Sequence, residues 1–377
     1  MKSAYKQFVS QEAFKYTTNK SMDKVVSDIV KDETDQLEIA LKIQKIVSNN
    51  INNLAIPIEY TGTKCRTAIQ TWNSNQGTQL EKAILFSALL KKANISADPV
   101  AIIPNMYFNK EIGNFSMYNH YLVRINLKNH GEIYLAVNYT NKQNLKFDLD
   151  GQTGLLLKQN DDNLKIITYK PSLSSIVFKG EFDLLNPNRL LGNLSVELTN
   201  GSLPYFSLYK DSSYIKSIVK GGISAGDMVS SKIEKLTPKK AEANISIEKE
   251  NPTTQQGRYY TFELPIASNE VGIWHMTLLN ERKVPLEIPK LISEKYEYAI
   301  VIPEGSKLVT PPTFSIVKND VGSVTLRLEQ VKNKIIVIKE IKFEKKIILP
   351  TEYSNLKKIM DIWNNGNYRK VIFKVKE

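Results

Sequence analysis

One cysteine, three histidines and three tryptophans stand among 377 residues. With Cys65 alone, neither an intramolecular disulfide nor a cysteine-based metal site is available. His120, His130 and His275 are too few and too dispersed to compose a metal cluster, so no metal or other cofactor is expected. No apolar run approaches the roughly 18 residues of a membrane span. The first residues, MKSAYKQFVSQEAF, lack the apolar centre of a signal peptide. Either the chain stays in the cytosol or a leader has been removed.

Acidic residues are outnumbered: 39 Asp and Glu face 51 Lys and Arg, a formal charge of +12. Such an excess raises the question of polyanion partners. In KNKIIVIKEIKFEKK, however, the lysines alternate with apolar residues, as the wet face of a sheet does. We read the charge as a solvated face and not as a nucleic-acid stripe. A hydrophobic content of 42% is ordinary for a globular protein, and 377 residues exceed one comfortable core, so two domains are expected.

Helical spacing governs the chain up to about residue 100. TDQLEIALKIQKIVSNNI offers Thr34 as a cap and sets Leu37, Leu41, Ile43, Ile46 and Val47 on one stripe. An irregular stretch follows, punctuated by Pro57, Gly62 and Gly77. GTQLEKAILFSALLKK then predicts a helix over 78–93. Thr78 and Glu81 have the spacing of a capping box, and Ala83, Ile84, Phe86, Ala88, Leu89 and Leu90 suit a buried element. After it the period shortens. DPVAIIP, HYLVRINLK, EIYLAVN and TGLLLK read as strands, which makes one helical layer followed by an antiparallel sheet, an α+β order.

Beyond about residue 170 the pattern is mostly β. SVTLRLEQVKNKIIVIKEIKFEKKIIL reads as strands with a turn near Lys332-Asn333, KYEYAIVIPEG precedes it, and RKVIFKVK closes the chain. Two helical pieces are expected there, SSKIEKL and TEYSNLKKIMDIWNNG, the second with Thr351 before it and Gly366 after it. VKGGISAGDM lacks the Gly-Lys-Ser/Thr ending of a phosphate loop and reads as a turn. The expected domains are 1–170 and a β-rich accessory domain over 171–377.

A Cys-His-Asp hydrolase needs its thiol at a helix N-terminus and an imidazole on a facing sheet, held by a carboxylate or amide. Such a frame is present. The buried helix begins at 78, His120 opens a strand further on, and the next strand ends in AVNYTNK. On these residues the chain resembles the bacterial branch of the transglutaminase-like superfamily, which shares the papain-type arrangement. GTQLEKAILFSALLKKANISADPV meets the pattern of its core helix at Gly77, Lys82, Ala83, Leu85, Ala88, Leu89 and Leu90 without a gap. Asn119-His120 meets its Asn-His, and Val137-Asn138-Tyr139-Thr140 meets its Leu-Asp-x-Thr. The nucleophile position then falls on Gln79 and the aspartate position on Asn138, and the likeness covers roughly 34–160. ERKVPLEIP, YEYAIVIPEG and ILPTEYSNLKKIMDIW are similar to β-rich domains that flank such cores in multidomain bacterial proteins. In those proteins a further β domain commonly precedes the core.

The resemblance implies a papain/transglutaminase-like core, a helical layer with an antiparallel sheet, followed by a mostly β, antiparallel, sandwich-like domain. An amide cannot form the acyl intermediate that a thiolate forms. Gln79 therefore implies lost cysteine catalysis, with His120 and Asn138 left as a degenerate triad and Gln79, Trp72 and Tyr60 available to line a groove. The function implied is a binding or scaffold module for a peptide, a protein, or a glycan or other cell-envelope polymer, outside the cytoplasm in the periplasm or at the cell surface, with the leader absent from this chain. The alternative is an active hydrolase or acyltransferase with a displaced nucleophile, for which Cys65 would have to reach His120. Simpler roles stay open for each residue: Gln79 as a first-turn helix residue, His120 as a hydrogen-bonded strand start, Cys65 as a small buried thiol, Trp72 and Tyr60 as packing. Asp148 and Asp150 are assigned no work.

Overall fold

The computed structural model describes residues 1–118, 120–159, 164–269, 271 and 279–376; Asn119 and His275, both named above, lie outside the described residues. The chain divides into two compact units, Met1–Pro171 and Ser172–Glu377.

The first unit sets helices against one five-stranded sheet. Its main helices are α1 (Lys2–Val9), α2 (Lys20–Asp32), α3 (Gln36–Asn50), α4 (Ala68–Ser74) and α5 (Gln79–Lys92). The strands are β1 (Ser96–Pro104), β2 (His120–Leu127), β3 (Gly131–Leu135), β4 (Gln152–Leu156) and β5 (Ile166–Thr168). They lie in the order β3-β2-β1-β4-β5, every pair antiparallel. Helix α5 runs through the middle: each residue from Leu80 to Leu90 is buried, and the helix packs on β1, β2, α3 and α4. Burial of a helix on all sides is what an apolar sequence without a polar face demands.

Its start is as the spacing predicts. Thr78 caps α5, accepting from the Glu81 backbone N–H at 3.3 Å while the Glu81 carboxylate accepts from Thr78 N–H at 2.9 Å. At α3 the cap is Asp35 and not Thr34: the Asp35 carboxylate takes the N–H groups of both Leu37 and Glu38. A carboxylate with two acceptor oxygens and a charge suited to the helix dipole wins that position over its neighbour.

The second unit is built on an eight-stranded sheet. In chain order its strands are β6 (Ser174–Asp183), β7 (Arg189–Thr199), β8 (Met228–Thr237), β9 (Lys240–Glu250), β10 (Ile292–Val301), β11 (Thr313–Lys318), β12 (Gly322–Val331) and β13 (Lys334–Phe343). In space the order is β8-β9-β7-β6-β10-β13-β12-β11. All neighbours are antiparallel except β6 and β10, which pair in parallel over ten positions from Ile292↔Ser174 to Val301↔Asp183. The antiparallel expectation holds except at that one seam, where the long excursion between Asp183 and Ile292 gives the chain room to cross over, which a hairpin cannot do. A four-stranded sheet holds Thr253–Gln256, Tyr259–Glu263, Lys370–Lys374 and Lys307–Leu308.

Two other expectations need correction here. SSKIEKL is not a helix; it lies in β8 at the sheet edge, where register shifts between Met228 and Ser230 and between Ile233 and Lys235 break the two-residue alternation that would have marked a strand. Thr351 does not cap the late helix. It sits inside the tight turn Pro350–Glu352, and the helix proper is Tyr353–Trp363. The turn near Lys332-Asn333 is present, with Lys332 at φ +57° and Val331 paired to Lys334. On the outer face of the large sheet the lysines stand beside carboxylates, Lys240 with Glu197 and Glu242, and Lys295 with Glu297.

Candidate functional site

The N-terminus of α5 opens on a cavity of about 300 Å³. Its floor is the helix start, Thr78 to Glu81. One wall is the segment Asn53–Glu59, and Tyr118, Tyr121 and Asn138 close it from the sheet side, with Cys65 at the loop between. Most of that surface is apolar, from Leu54, Ile56, Pro57, Ile58 and Leu80. Beside lining residues in the chain stand further exposed apolar groups: Tyr60, Met117 and Tyr139 are exposed by 80, 38 and 53%, and the lining Ile56 by 46%. Exposed apolar groups gathered round a concavity mark contact surface more often than chance.

The irregular segments that form this cavity are fastened by polar groups of the helix. Gly77 lets the chain pass close to α4; a Cβ there would stand 2.8 Å from Thr71 Cγ2. Leu54 N–H donates to Gly77 O at 2.8 Å, hanging the wall on the turn before α5. Lys82, buried within the helix, sends its Nζ to Ile51 O at 2.7 Å at the foot of the same wall. Burial holds that ammonium below the usual lysine range.

Cys65 is placed by its neighbours. Its N–H donates to Gln11 Oε1 at 3.0 Å, and Arg66 grips Glu81 through Nε at 3.0 Å and Nη2 at 2.8 Å. Burial alone would raise the Glu81 carboxyl, but the fork from Arg66 and the N–H groups of Thr78 and Arg66 outweigh it and hold the carboxyl below its ordinary value. The thiol responds in the opposite sense: burial, with the Glu81 charge adding to it, pushes Cys65 up to about 12. A thiol so placed is not a ready thiolate.

Gln79 makes two contacts with the start of β2. Its Oε1 accepts the Tyr121 backbone N–H at 3.1 Å, and its Nε2 faces His120 Nδ1 at 3.4 Å, at the long end of the hydrogen-bond range. Burial lowers the imidazole's affinity for a proton. Asn138, exposed at the end of the turn after β3, lines the same cavity as Gln79 but has no hydrogen bond to His120 among the described residues. Gln79 thus meets His120 on one side and shares the cavity with Asn138 on the other, without the three closing into a triangle.

Of the two aromatic candidates, Tyr60 is exposed in the turn Ile58–Thr61, between the lining residues Glu59 and Thr61 but not itself a cavity residue. Trp72 is not among the cavity residues: it lies on α4, half-buried, with its indole N–H donating to Ser21 Oγ at 3.0 Å. The short helix turns that ring toward α2, a direction the loop reading did not anticipate.

Gln44 escaped attention altogether. It sits fully buried on α3, where its amide donates to Ala136 O at 2.8 Å and Asn141 Oδ1 at 2.5 Å and accepts from Asn141 N–H at 3.3 Å. A glutamine between Ile43 and Val47 on a buried stripe was the available signal. Its work is to hold the turn that carries Asn138. Asp148 and Asp150 lie in the following turn and are not cavity residues.

One stretch of the chain has a described family. Residues 273–373 match the family described as "Domain of Unknown Function with solved-structure structure (DUF3858)". Among curated proteins, none matches the chain. The whole chain is similar in fold to the crystal structure described as "a putative protease from Parabacteroides distasonis", at 18% identity and a TM-score of 0.60, over 99% of this chain. The chain spans 58% of the length of that protein. No described helix is long and apolar enough to cross a membrane.

Proposed function

We propose that the first unit is a transglutaminase-like, papain-type core that has given up cysteine catalysis and keeps its cleft for binding. One observation carries the reading: Gln79, which the resemblance sets at the nucleophile position, has its amide engaged at both ends by Tyr121 and His120. An amide so held has no nucleophile to offer and occupies the ring nitrogen that would have served one. The fold neighbour described as "a putative protease" and the family matched by residues 273–373 fit this context.

The ligand that suits the cavity is an extended peptide or protein segment with apolar side chains. Aliphatic walls take the side chains, and the exposed Asn138 amide offers both donor and acceptor to a peptide group. The β-rich unit is the scaffold, in a protein of the periplasm or cell surface.

A second reading has one specific point in its favour: Cys65 lines the same cavity. Its raised thiol and the lack of a hydrogen bond to His120 among the described residues weigh against a displaced nucleophile.

Blocked hexapeptides of alanine carrying a central leucine or phenylalanine separate the two. Binding is expected, with NMR shift changes at Gln79, Tyr121 and Asn138, and mass spectrometry should find every peptide intact. Cleavage, or iodoacetamide labelling of Cys65 that disappears in His120→Ala, would overturn the binding reading in favour of the second.

A further inference from the structure

The placement of Gln79 decides where His120 carries its proton. Amide oxygen and nitrogen are interchangeable in shape, so their assignment has to come from a neighbour with no choice of role. Tyr121 is that neighbour. Its backbone N–H can only donate, and it points at Oε1 from 3.1 Å. The other end of the amide is then Nε2, which can only donate, and it faces His120 Nδ1 at 3.4 Å. A ring nitrogen facing a donor must present its lone pair. In a neutral imidazole the proton consequently sits on Nε2.

With Nδ1 facing Gln79, the opposite tautomer is penalised whichever way the amide turns. With Gln79 as it stands, an Nδ1–H would oppose Nε2–H. With the amide flipped, Nε2–H would oppose the Tyr121 N–H. Each arrangement sets donor against donor. Nε2 of His120 has no hydrogen-bond partner among the described residues, and the residue is half-buried at the start of β2.

We propose that Gln79, which lines the cavity, is a positioning residue that holds His120 behind it as the neutral Nε2–H tautomer, a hydrogen-bond donor to an oxygen acceptor such as a carbonyl and not a base; His120 is not itself a cavity residue. The tautomer rests on geometry alone; the acceptor it would meet rests on the binding reading above. Burial of the ring agrees with a neutral imidazole near pH 7.

With three histidines in the chain, long-range ¹⁵N–¹H spectra of the ¹⁵N-histidine-labelled full-length protein are readable, and His130→Gln and His275→Gln assign them. His120 is expected to show an unprotonated Nδ1 and a protonated Nε2. In Gln79→Leu the Nδ1–H form should rise several-fold. In Gln79→Glu it should dominate, with the midpoint of ring protonation raised by about one pH unit, because a carboxylate accepts where the amide donated. An unchanged His130 signal reports that each variant is folded, and the wild-type spectrum alone decides if Gln79→Leu is not. A wild-type Nδ1–H tautomer, or a Gln79→Leu spectrum identical to wild type, would overturn the proposal. An Nε2–H tautomer in a chain that binds no peptide would sink the binding reading instead.

Discussion

Arg66 and Glu81 join the loop holding the chain's only thiol to the first turn of α5, the most buried of the described helices. The guanidinium reaches both carboxylate oxygens, and Arg66 also donates to Gln76 O at 2.9 Å and Ser74 Oγ at 3.1 Å. Arg66 therefore fastens two stretches, its own loop and the Ser74–Gln76 turn, to the start of α5.

Glu81→Gln should destabilise the protein by about 1 kcal/mol at pH 7, since half-exposed Arg66 loses its charged partner while an amide oxygen can still accept from Thr78 N–H. The pH dependence has a definite sign. The Glu81 carboxyl is held below its ordinary value in the folded chain, so its contribution is full above the usual glutamate range and disappears as pH falls through the depressed folded value. Denaturant midpoints of wild type and variant should thus converge below about pH 4.

Gln79→Cys in a Cys65→Ser background puts a thiol opposite His120 Nδ1. Iodoacetamide should label it at pH 7 at least about tenfold faster than it labels Cys65 in the native chain, as an imidazole partner and a helix N-terminus favour thiolate. The rate should collapse in His120→Ala. Loss of the acceptor for Tyr121 N–H should cost about 1 kcal/mol in the same variant, measured by thermal unfolding.

Gln44→Leu removes three hydrogen bonds from a buried position and should cost about 2 kcal/mol. Its distinctive effect is local. Amide hydrogen exchange at residues 136–141 should accelerate far more than at β1, and peptide binding should weaken because the turn carrying Asn138 is no longer held.

Lys82→Met tests the buried ammonium. Burial holds Lys82 below the usual lysine range, so unfolding takes up protons between that depressed value and about pH 10.4, and wild-type stability gains with rising pH across that window. The variant should lack that gain, so the difference between the two proteins changes with pH only on the alkaline side, as urea titrations at successive pH values would show.

Much of the first unit was legible because its signals are local. Thr78 and Glu81 cap α5 in the arrangement their spacing requires, and the strands at 96–104, 120–127 and 131–135 follow the periods read from the residues. What stayed hidden depends on distant partners. Gln44 looks like a break in an apolar stripe until Ala136 and Asn141 are seen to need it. Trp72 was read from a loop, and the turn of α4 aims it elsewhere. Cys65 belongs to the cavity only because Gln11 and Arg66 pull its loop inward, contacts that no pattern around residue 65 announces.

The parallel seam between β6 and β10 has a consequence for handling the second unit. On one side of it lie β6 to β9, all from 174–250, and on the other β10 to β13, all from 292–343. Each half pairs its strands within its own stretch of chain, whereas the seam must wait for segments far apart in sequence to meet. The matched family begins at 273, on the later half's side of that joint. A fragment cut to that boundary would bare β10 along its ten-residue edge, a sticky template for aggregation that the intact sheet conceals.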